Sequence, residues 1–279
     1  MLVYLNGDFL PHTEARVSVD DRGFLFADGV YEVIRVYGGR PYLLQEHLDR
    51  MAGGIRALEI PFDGFDRLRD VAFRLMEENG VDDEGNIYIQ VTRGAAPRKH
   101  AFPPADTPPT VYVSVKPARR HPDAYYEEGV DAITTPDTRW ARCDIKSIAL
   151  LPNVLANQKA HAAGAFEALF IRDGIVLEGS HSNVMAVVDG TLVTYPTCNY
   201  ILAGITRDRI LALAARLGVP IREGAIPVDR LHDVDELFLT GTTTEVMPVV
   251  RVDGRPVGSG KPGVVTRRLM EAYRAEIGR

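Results

Sequence analysis

The chain is organised around the stretch 140–207, which opens with WARCDIKS (140–147), continues through LEGSHSN (177–183) and ends with ILAGITR (201–207). In this order it supplies a lysine, a glutamate and a Gly-Ile-Thr turn that precedes an amphipathic helix pattern. A neutral lysine amine is a nucleophile, a carboxylate can pair with a protonated ring nitrogen, and the unpaired N–H groups of a helix start suit a phosphate. The stretch therefore predicts a site for a phosphorylated organic cofactor.

Pyridoxal phosphate needs these three groups together. Its aldehyde forms a Schiff base with a lysine amine, its pyridine nitrogen is kept protonated by a carboxylate, and its phosphate binds at a helix start. We predict that Lys146, Glu178 and the turn at Ile205 and Thr206 hold this cofactor.

Lys146 is one of only five lysines in the chain and lies in a mainly apolar run, IKSIALL (145–151). Partial burial lowers the pKa of a lysine and so favours the neutral amine. Taken alone, Lys146 is more simply explained as a solvated lysine at a strand end, because most lysines are solvated. The motifs that follow it favour the catalytic role.

The combined pattern of RCDIKS (142–147), EGS-x-SN (178–183) and IL-x-GITR (201–207) resembles the class IV, fold type IV, pyridoxal phosphate enzymes. Among them it is most similar to the D-amino-acid aminotransferases, and the resemblance runs from Asp21-Arg22-Gly23 to the last helix. Each motif alone is weak, but the combination is specific. Branched-chain aminotransferases and aminodeoxychorismate lyases share the fold and stay as alternatives.

The resemblance implies further cofactor contacts. Arg50 would bind the phosphate, although a solvated arginine or one paired with Glu46 is the ordinary alternative. Leu202 would pack on the ring, as a core leucine also would. Thr206 would bind the phosphate or cap its helix, and Thr242 would add a phosphate contact in a run that could equally be plain strand. At position 181 relatives often carry a small hydroxyl residue, whereas this chain has histidine.

The resemblance also implies a trap for the substrate α-carboxylate, made of Tyr31, Arg98 and His100. The ordinary alternatives are a core tyrosine and a solvated loop triplet. Arg98 and His100 lie in a long Pro- and Ala-rich loop, 93–109, and in similar enzymes this loop comes from a two-fold partner. We therefore expect an obligate homodimer and an active site at a domain boundary.

The composition is that of an ordinary globular protein, with 46% hydrophobic and 25% charged residues in a chain of 279. The net charge of −6 argues against a nucleic-acid partner. Apolar runs are too short for a membrane span, and the N-terminus lacks the pattern of a signal peptide. Cys143 and Cys198 are far apart, so we expect no disulfide, no metal site and a cytoplasmic location.

The pattern along the chain predicts a two-domain α/β (α+β) fold. Residues 1–116 would form a small α/β domain, 117–122 a linker, and 123–279 a larger strand-rich domain that binds the cofactor. The predicted elements include a strand at 30–37 and helices at 44–58 and 264–276. A second helix is predicted to hold Leu68, Val71, Ala72 and Leu75 and to end at Asn79-Gly80. Hairpin turns are predicted at three dipeptides, Asn6-Gly7, Asp173-Gly174 and Asp189-Gly190.

The expected reaction is ping-pong transfer of an amino group from a D-amino acid to a 2-oxo acid, with Lys146 moving the Cα proton as general acid and base. The alternatives are transamination of L-branched-chain acids or (R)-amines, elimination of pyruvate by a lyase, and a non-catalytic binding protein that kept the fold.

Overall fold

The structure is a computed structural model that describes residues 1–279. The chain folds into two compact units, Met1–Arg119 with Ile145–Ala149, and Arg120–Asp144 with Leu150–Arg279. The predicted domain limits, 1–116 and 123–279 with a linker at 117–122, remain a prediction.

Sequence order placed Lys146 in the second domain, whereas the structure groups its segment with the first unit. The reason is backbone pairing. The N–H of Tyr31 donates to the carbonyl of Lys146 at 3.0 Å, and Ser147 pairs with Val30. Ile145 belongs to the hydrophobic core of the same unit.

The first unit is an antiparallel six-stranded sheet with helices, and its strands run in the order β2-β1-β6-β5-β3-β4. Its elements are β1 (Leu2–Leu5), β2 (Asp8–Pro11), α1 (Arg22–Phe26), β3 (Gly29–Tyr37), β4 (Arg40–Pro41), α2 (Leu44–Ala57), α3 (Phe65–Glu78), β5 (Gly85–Thr92) and β6 (Thr110–Pro117).

Helices α2 and α3 cover one face of this sheet because each has an apolar stripe at helical spacing. Leu48, Met51 and Ile55 of α2 are buried against the strands, as are Leu68 and Leu75 of α3. The predicted helices are confirmed, and α3 ends at Asn79 with the following glycine in the left-handed region, as its sequence indicated.

The second unit is built on a ten-stranded sheet flanked by helices. Its elements are α4 (Asp123–Glu128), β7 (Val130–Pro136), α5 (Leu151–Ala162), β8 (Glu167–Arg172), β9 (Ile175–Gly179), β10 (Asn183–Val188), β11 (Thr191–Thr194), α6 (Ile205–Arg216), β12 (Ile221–Glu223), β13 (Ile226–Pro227), a 3₁₀ turn (Val228–Arg230), β14 (Glu236–Gly241), β15 (Glu245–Val252), β16 (Arg255–Pro256) and α7 (Val264–Glu276).

The strand order is β12-β11-β10-β14-β15-β7-β8-β9-β13, with β16 beside β15. Strand β10 also pairs with β9 through Asn183 and Glu178, so β10, β14, β15, β7, β8 and β9 form a closed ring. Strand β7 is parallel to both β15 and β8. This pairing places Glu178 and Asn183 side by side at the end of two strands.

The three predicted hairpin turns are confirmed. Both residues of each turn dipeptide have positive φ, as the favoured two-residue hairpin turn requires. The short helices α1 and α4 were not predicted, because five or six residues carry too little periodicity to be recognised. No helix combines the length and the apolar character that a membrane crossing needs.

Candidate active site

Lys146 lies beside Tyr31 in the first unit. Its Nζ is 4.2 Å from the centre of the Tyr31 ring, and its backbone carbonyl accepts from Tyr31 on β3. Both side chains are half-buried, while Ile145 and Ser147 on either side of the lysine are buried. The structure thus brings together the predicted nucleophile and one of the predicted substrate-binding residues.

A buried carboxylate lies on the opposite face of β3. Glu32 follows Tyr31 and is fully buried; it accepts from Arg50 at 2.7 and 2.8 Å and contacts Nδ1 of His47 at 2.7 Å. Burial alone would raise the pKa of Glu32, but Arg50 and His47 lower it to about 2. Arg50 is therefore tied to β3 through an ion pair that its helical spacing did not reveal.

His47 completes this cluster and is neutral at ordinary pH. Burial lowers its pKa, the Glu32 carboxylate opposes that shift, and the charges of Arg50 and Lys146 add to it. Glu32 and His47 were not predicted from the sequence. The Tyr31-Glu32 pair on a strand and the His47/Arg50 spacing on a helix were the only signals available.

In the second unit, Glu178 is the penultimate residue of β9 and is buried. Its carboxylate accepts from Asn183 Nδ2 at 3.1 Å, from the N–H of Leu202 at 3.0 Å, and from Arg139. Burial raises the pKa of Glu178 to about 7 in spite of the Arg139 charge. A cationic partner would stabilise the ionised form of this carboxylate. The predicted contact with a protonated pyridine nitrogen would supply such a partner.

Arg139, which was not predicted from the sequence, is the charged donor to Glu178. It reaches Glu178 while bonded to both oxygens of Asp137, at 2.9 and 3.0 Å, and it lies over the ring of Phe170 at 4.2 Å. Burial would lower the pKa of Arg139, but the Asp137 and Glu178 carboxylates raise it, so the guanidinium stays charged. The DTRW stretch (137–140) carried the signal, just before the lysine motif.

Helix α6 begins after Gly204, which has an extended backbone and gives the helix no side-chain cap. Ile205 is its first residue and Thr206, which is buried, its second, so Thr206 is not the N-cap. The N–H groups of this first turn carry partial positive charge and suit an anion.

Thr242 lies half-buried in the turn between β14 and β15. On either side of it, the hydroxyls of Thr240 and Thr244 are buried and have no hydrogen-bond partner. Unsatisfied buried hydroxyls are uncommon in folded proteins and call for an explanation, such as a bound polar group.

Asn183 links these parts of the second unit. Its Nδ2 donates to Glu178 and, at 2.9 Å, to the carbonyl of Leu202. A Cβ on Gly204 would lie 2.0 Å from Oδ1 of Asn183, so only glycine permits this approach. The Asn183 side chain therefore fixes Glu178, Leu202 and the start of α6 relative to one another.

Arg98 and His100 are exposed in the loop 93–109. Both lie against Phe26 of α1, at 5.1 Å from the guanidinium carbon and 5.6 Å between ring centres. Tyr31 instead stacks on Tyr88. Within one chain, the predicted carboxylate trap is thus divided between two groups of residues.

The loop is nonetheless firmly held. Asp28 accepts from Arg22 at 2.8 Å and from Arg93 at 2.8 and 3.1 Å, and both arginines are buried. Arg22 also donates to the carbonyl of Lys99 at 2.7 Å. This carbonyl lies between Arg98 and His100 in the chain, so the ion pairs set the position of the loop tip.

The residues present fit pyridoxal phosphate. The first unit carries a half-buried lysine amine, and the second carries a buried carboxylate of raised pKa, a helix start without a side-chain cap and two unpartnered threonine hydroxyls. No group of three or more His, Cys, Asp and Glu side chains could hold a metal ion.

Comparison with known proteins agrees with this geometry. Residues 29–252 match the family described as amino-transferase class IV. The chain belongs to the class IV aminotransferase family. The resemblance drawn from the three motifs is therefore confirmed, and the chain is an aminotransferase by family.

This class IV aminotransferase is 43% identical to a D-alanine aminotransferase of Staphylococcus haemolyticus, over 99% of this chain and 97% of that protein. Its fold is similar to that of the branched-chain amino acid aminotransferase of Escherichia coli, with a TM-score of 0.91, 28% identity and coverage of 98% and 93% of the two chains. It is also similar to the branched-chain amino acid aminotransferase of T.th. with pyridoxamine 5′-phosphate, with a TM-score of 0.90, 31% identity and coverage of 99% and 93%. The predicted fold type is confirmed.

Proposed function

We propose that this class IV aminotransferase transfers the amino group of a D-amino acid, such as D-alanine, to a 2-oxo acid, such as 2-oxoglutarate, with pyridoxal 5′-phosphate as cofactor. The observation that carries the proposal is the likeness to a D-alanine aminotransferase along almost the whole of both chains. Tyr31, Arg98 and His100, the residues that the resemblance assigns to the substrate carboxylate, are all present.

Bound pyridoxal phosphate supplies an electron sink for the bond that breaks at the substrate Cα. Lys146 would hold the cofactor through its amine and, once displaced, take the proton from the substrate Cα and later return one. The half-buried position of Lys146 beside Tyr31 supports this role, because the amine is partly withdrawn from water.

Glu178 would keep the pyridine nitrogen protonated, and Leu202 would pack on the ring. Arg50, Ile205, Thr206 and Thr242 would hold the phosphate. The buried Glu178 carboxylate supports the first assignment, because a protonated pyridine nitrogen would be its cationic partner. The uncapped start of α6 supports the phosphate assignment, because its N–H groups carry partial positive charge.

The substrate α-carboxylate would be bound by Tyr31 together with Arg98 and His100 from a second copy of the chain. Arginine offers two parallel donors to a carboxylate, and tyrosine and histidine add single hydrogen bonds. Binding the carboxylate on one side decides which Cα–H faces Lys146 and thereby selects the D-enantiomer.

Exposed aromatic rings support a homodimer. Phe24 of α1 is 74% exposed, and Phe102 of the loop 93–109 is 56% exposed. Helix α1 and this loop contact each other, because Arg98 and His100 of the loop lie against Phe26 of the helix. Exposed aromatic side chains of this kind are typical of protein interfaces. A cytoplasmic location is part of the proposal and agrees with two free cysteines.

The deciding experiment is a panel of D- and L-amino acids and (R)-amines, with 2-oxoglutarate or pyruvate as acceptor. We expect a yellow protein and turnover of D-alanine that depends on the acceptor. Lys146→Ala should lose turnover and the absorbance of the lysine-bound cofactor. Preference for L-branched-chain acids or (R)-amines would replace the proposed substrate. Repeated release of pyruvate from aminodeoxychorismate without an acceptor would indicate a lyase, and a colourless wild-type protein would indicate a non-catalytic one.

A further inference from the structure

We propose that Glu167, which no motif singled out, is a positioning residue for the cofactor-binding groups of the second unit. Glu167 begins β8 and holds the turn Gly179–Ser182, at whose two ends Glu178 and Asn183 lie. The inference rests on the proposed function, because it assigns to Glu167 the alignment of groups that would bind pyridoxal phosphate.

The Glu167 carboxylate is fully buried and is surrounded by donors from this turn. Its oxygens accept from the N–H of His181 at 2.6 Å, from Ser182 Oγ at 2.9 Å and from Ser180 Oγ at 3.2 Å. Nδ1 of His181 lies 3.1 Å from the same carboxylate. Burial alone would raise the pKa of Glu167, but His181 and Ser182 lower it, so the group is an anion.

The turn is shaped to fit the carboxylate. A Cβ on Gly179 would lie 2.4 Å from Glu167 Oε1, which explains the glycine after Glu178 in the sequence motif. Asn153 of α5 adds a hydrogen bond at 2.8 Å to the carbonyl of Ser180. A buried anion with several donors of one turn fixes that turn more firmly than neutral contacts would.

The turn is connected to both parts of the predicted cofactor site in this unit. At one end Asn183 pairs with Glu178 and reaches Leu202 and the start of α6. Beside it, the carbonyl of His181 faces Gly241, at 3.5 Å from where a Cβ would stand, next to the turn of Thr242. A shift of the Gly179–Ser182 turn would therefore move the carboxylate and the phosphate-binding groups together.

The test compares Glu167→Gln with Glu236→Gln. Glu236 is a matched control in the same sheet, since its carboxylate accepts from the N–H groups of Val265 and Thr266 at 3.0 and 2.7 Å and only caps α7. Both variants should lose thermal stability. Titration of each apoprotein with pyridoxal phosphate gives Kd, ¹⁵N NMR of labelled cofactor gives the protonation of its ring nitrogen, and kinetics with D-alanine give kcat and KM.

For Glu167→Gln we expect Kd to rise about tenfold or more, the equivalent of losing a hydrogen bond to a charged group. We also expect a ring-nitrogen signal shifted toward the neutral form and a lower kcat, with KM less affected. Glu236→Gln should change none of these, and Glu167→Asp should recover part of the loss. If Glu167→Gln fails to fold, Ser182→Ala removes a single donor and should change Kd and the nitrogen signal in the same direction.

A purely structural role for Glu167 would show as equal losses of stability in Glu167→Gln and Glu236→Gln, with unchanged Kd, ¹⁵N signal and kcat. Unchanged values in Ser182→Ala would overturn the proposal if Glu167→Gln cannot be purified. A wild-type protein that binds no pyridoxal phosphate would overturn the proposed function as well. If the wild-type enzyme transaminates normally and Glu167→Gln leaves Kd, the ¹⁵N signal and kcat unchanged, only the positioning role is overturned.

Discussion

Single residues of the site derive their chemistry from burial and from a few charged partners. Glu178 and Glu32 are both buried glutamates, yet burial raises the pKa of Glu178 to about 7 while Arg50 and His47 bring that of Glu32 to about 2. The difference arises because Arg139, which approaches Glu178, is also bonded to Asp137, whereas Arg50 gives two hydrogen bonds to Glu32.

The raised pKa of Glu178 predicts how apoprotein stability depends on pH. The folded chain holds the Glu178 proton more tightly than the unfolded chain does. Between pH 4.5 and about 7, Glu178 is therefore ionised in the unfolded chain while it keeps its proton in the folded chain. The contribution of Glu178 to the free energy of unfolding should therefore fall by on the order of 3 kcal/mol as pH rises through that window. Below pH 4.5 Glu178 is protonated in both the folded and the unfolded chain, so it does not lower the free energy of unfolding.

Urea unfolding of wild type and Glu178→Gln, each as apoprotein at about pH 5 and about pH 8, measures this effect. The difference between the two proteins cancels groups such as Glu32 and His47 that both retain. We expect Glu178→Gln to gain stability relative to wild type at the higher pH. An identical difference at both pH values would contradict the raised pKa.

Arg139 offers a second prediction at the residue scale. Arg139→Gln removes the charged donor that Glu178 shares with the buried, ionised Asp137. We therefore expect a loss of about 3–5 kcal/mol in the free energy of unfolding, as for a broken buried ion pair. Arg142→Gln is a matched control, because Arg142 pairs in the same two-oxygen manner with Asp144 two residues away but is solvent-exposed. Equal stability of the two variants would show that the buried Arg139 pairs contribute no more than an exposed one.

Among the elements, the loop 93–109 shows how a long irregular segment can be held without strands or helices. Asp28, Arg22 and Arg93 anchor it through buried ion pairs, and Arg22 binds the Lys99 carbonyl at its tip. Arg93 also donates to the carbonyls of Leu58 and Glu59, at 2.5 and 2.8 Å, after α2.

Replacing Asp28 tests this element. In Asp28→Asn two buried arginines lose their anion, so the loop tip with Arg98 and His100 should loosen. We expect KM for D-alanine to rise at least tenfold, since weakening substrate binding by one or two kcal/mol corresponds to about that factor. The affinity for pyridoxal phosphate should stay within about twofold of wild type. Asp106→Asn, an exposed change on the same loop, is the control and should leave both values alone. Loss of cofactor affinity in Asp28→Asn would contradict the assignment of this loop to the substrate.

At the scale of the whole molecule, the proposed homodimer makes each active site depend on two chains. Arg98→Ala and Lys146→Ala should each be inactive as homodimers, the former with cofactor still bound. Mixed subunits should recover about one working site per heterodimer, because both lesions then fall in one site and spare the other. Sedimentation and activity of refolded mixtures measure this. A fully active monomer, or mixtures without recovered activity, would contradict shared sites.

Local signals in the sequence predicted many of the elements and the family, but not the short helices α1 and α4. Apolar spacing predicted α2, α3 and α7, turn dipeptides predicted three hairpins, and Lys146, Glu178 and Thr206 in their motifs predicted the family. These signals are local, since each depends on residues within a few positions of one another.

Which residues lie side by side follows from contacts between distant parts of the folded chain. Strand pairing brought Lys146 to Tyr31 in the first unit, although sequence order placed it in the second. Chain folding also brought Arg139 to Glu178, 39 positions away, and Glu167 to the turn before Asn183. Burial, and with it the pKa of each carboxylate, depends on these distant partners, so no local pattern in the sequence can show it.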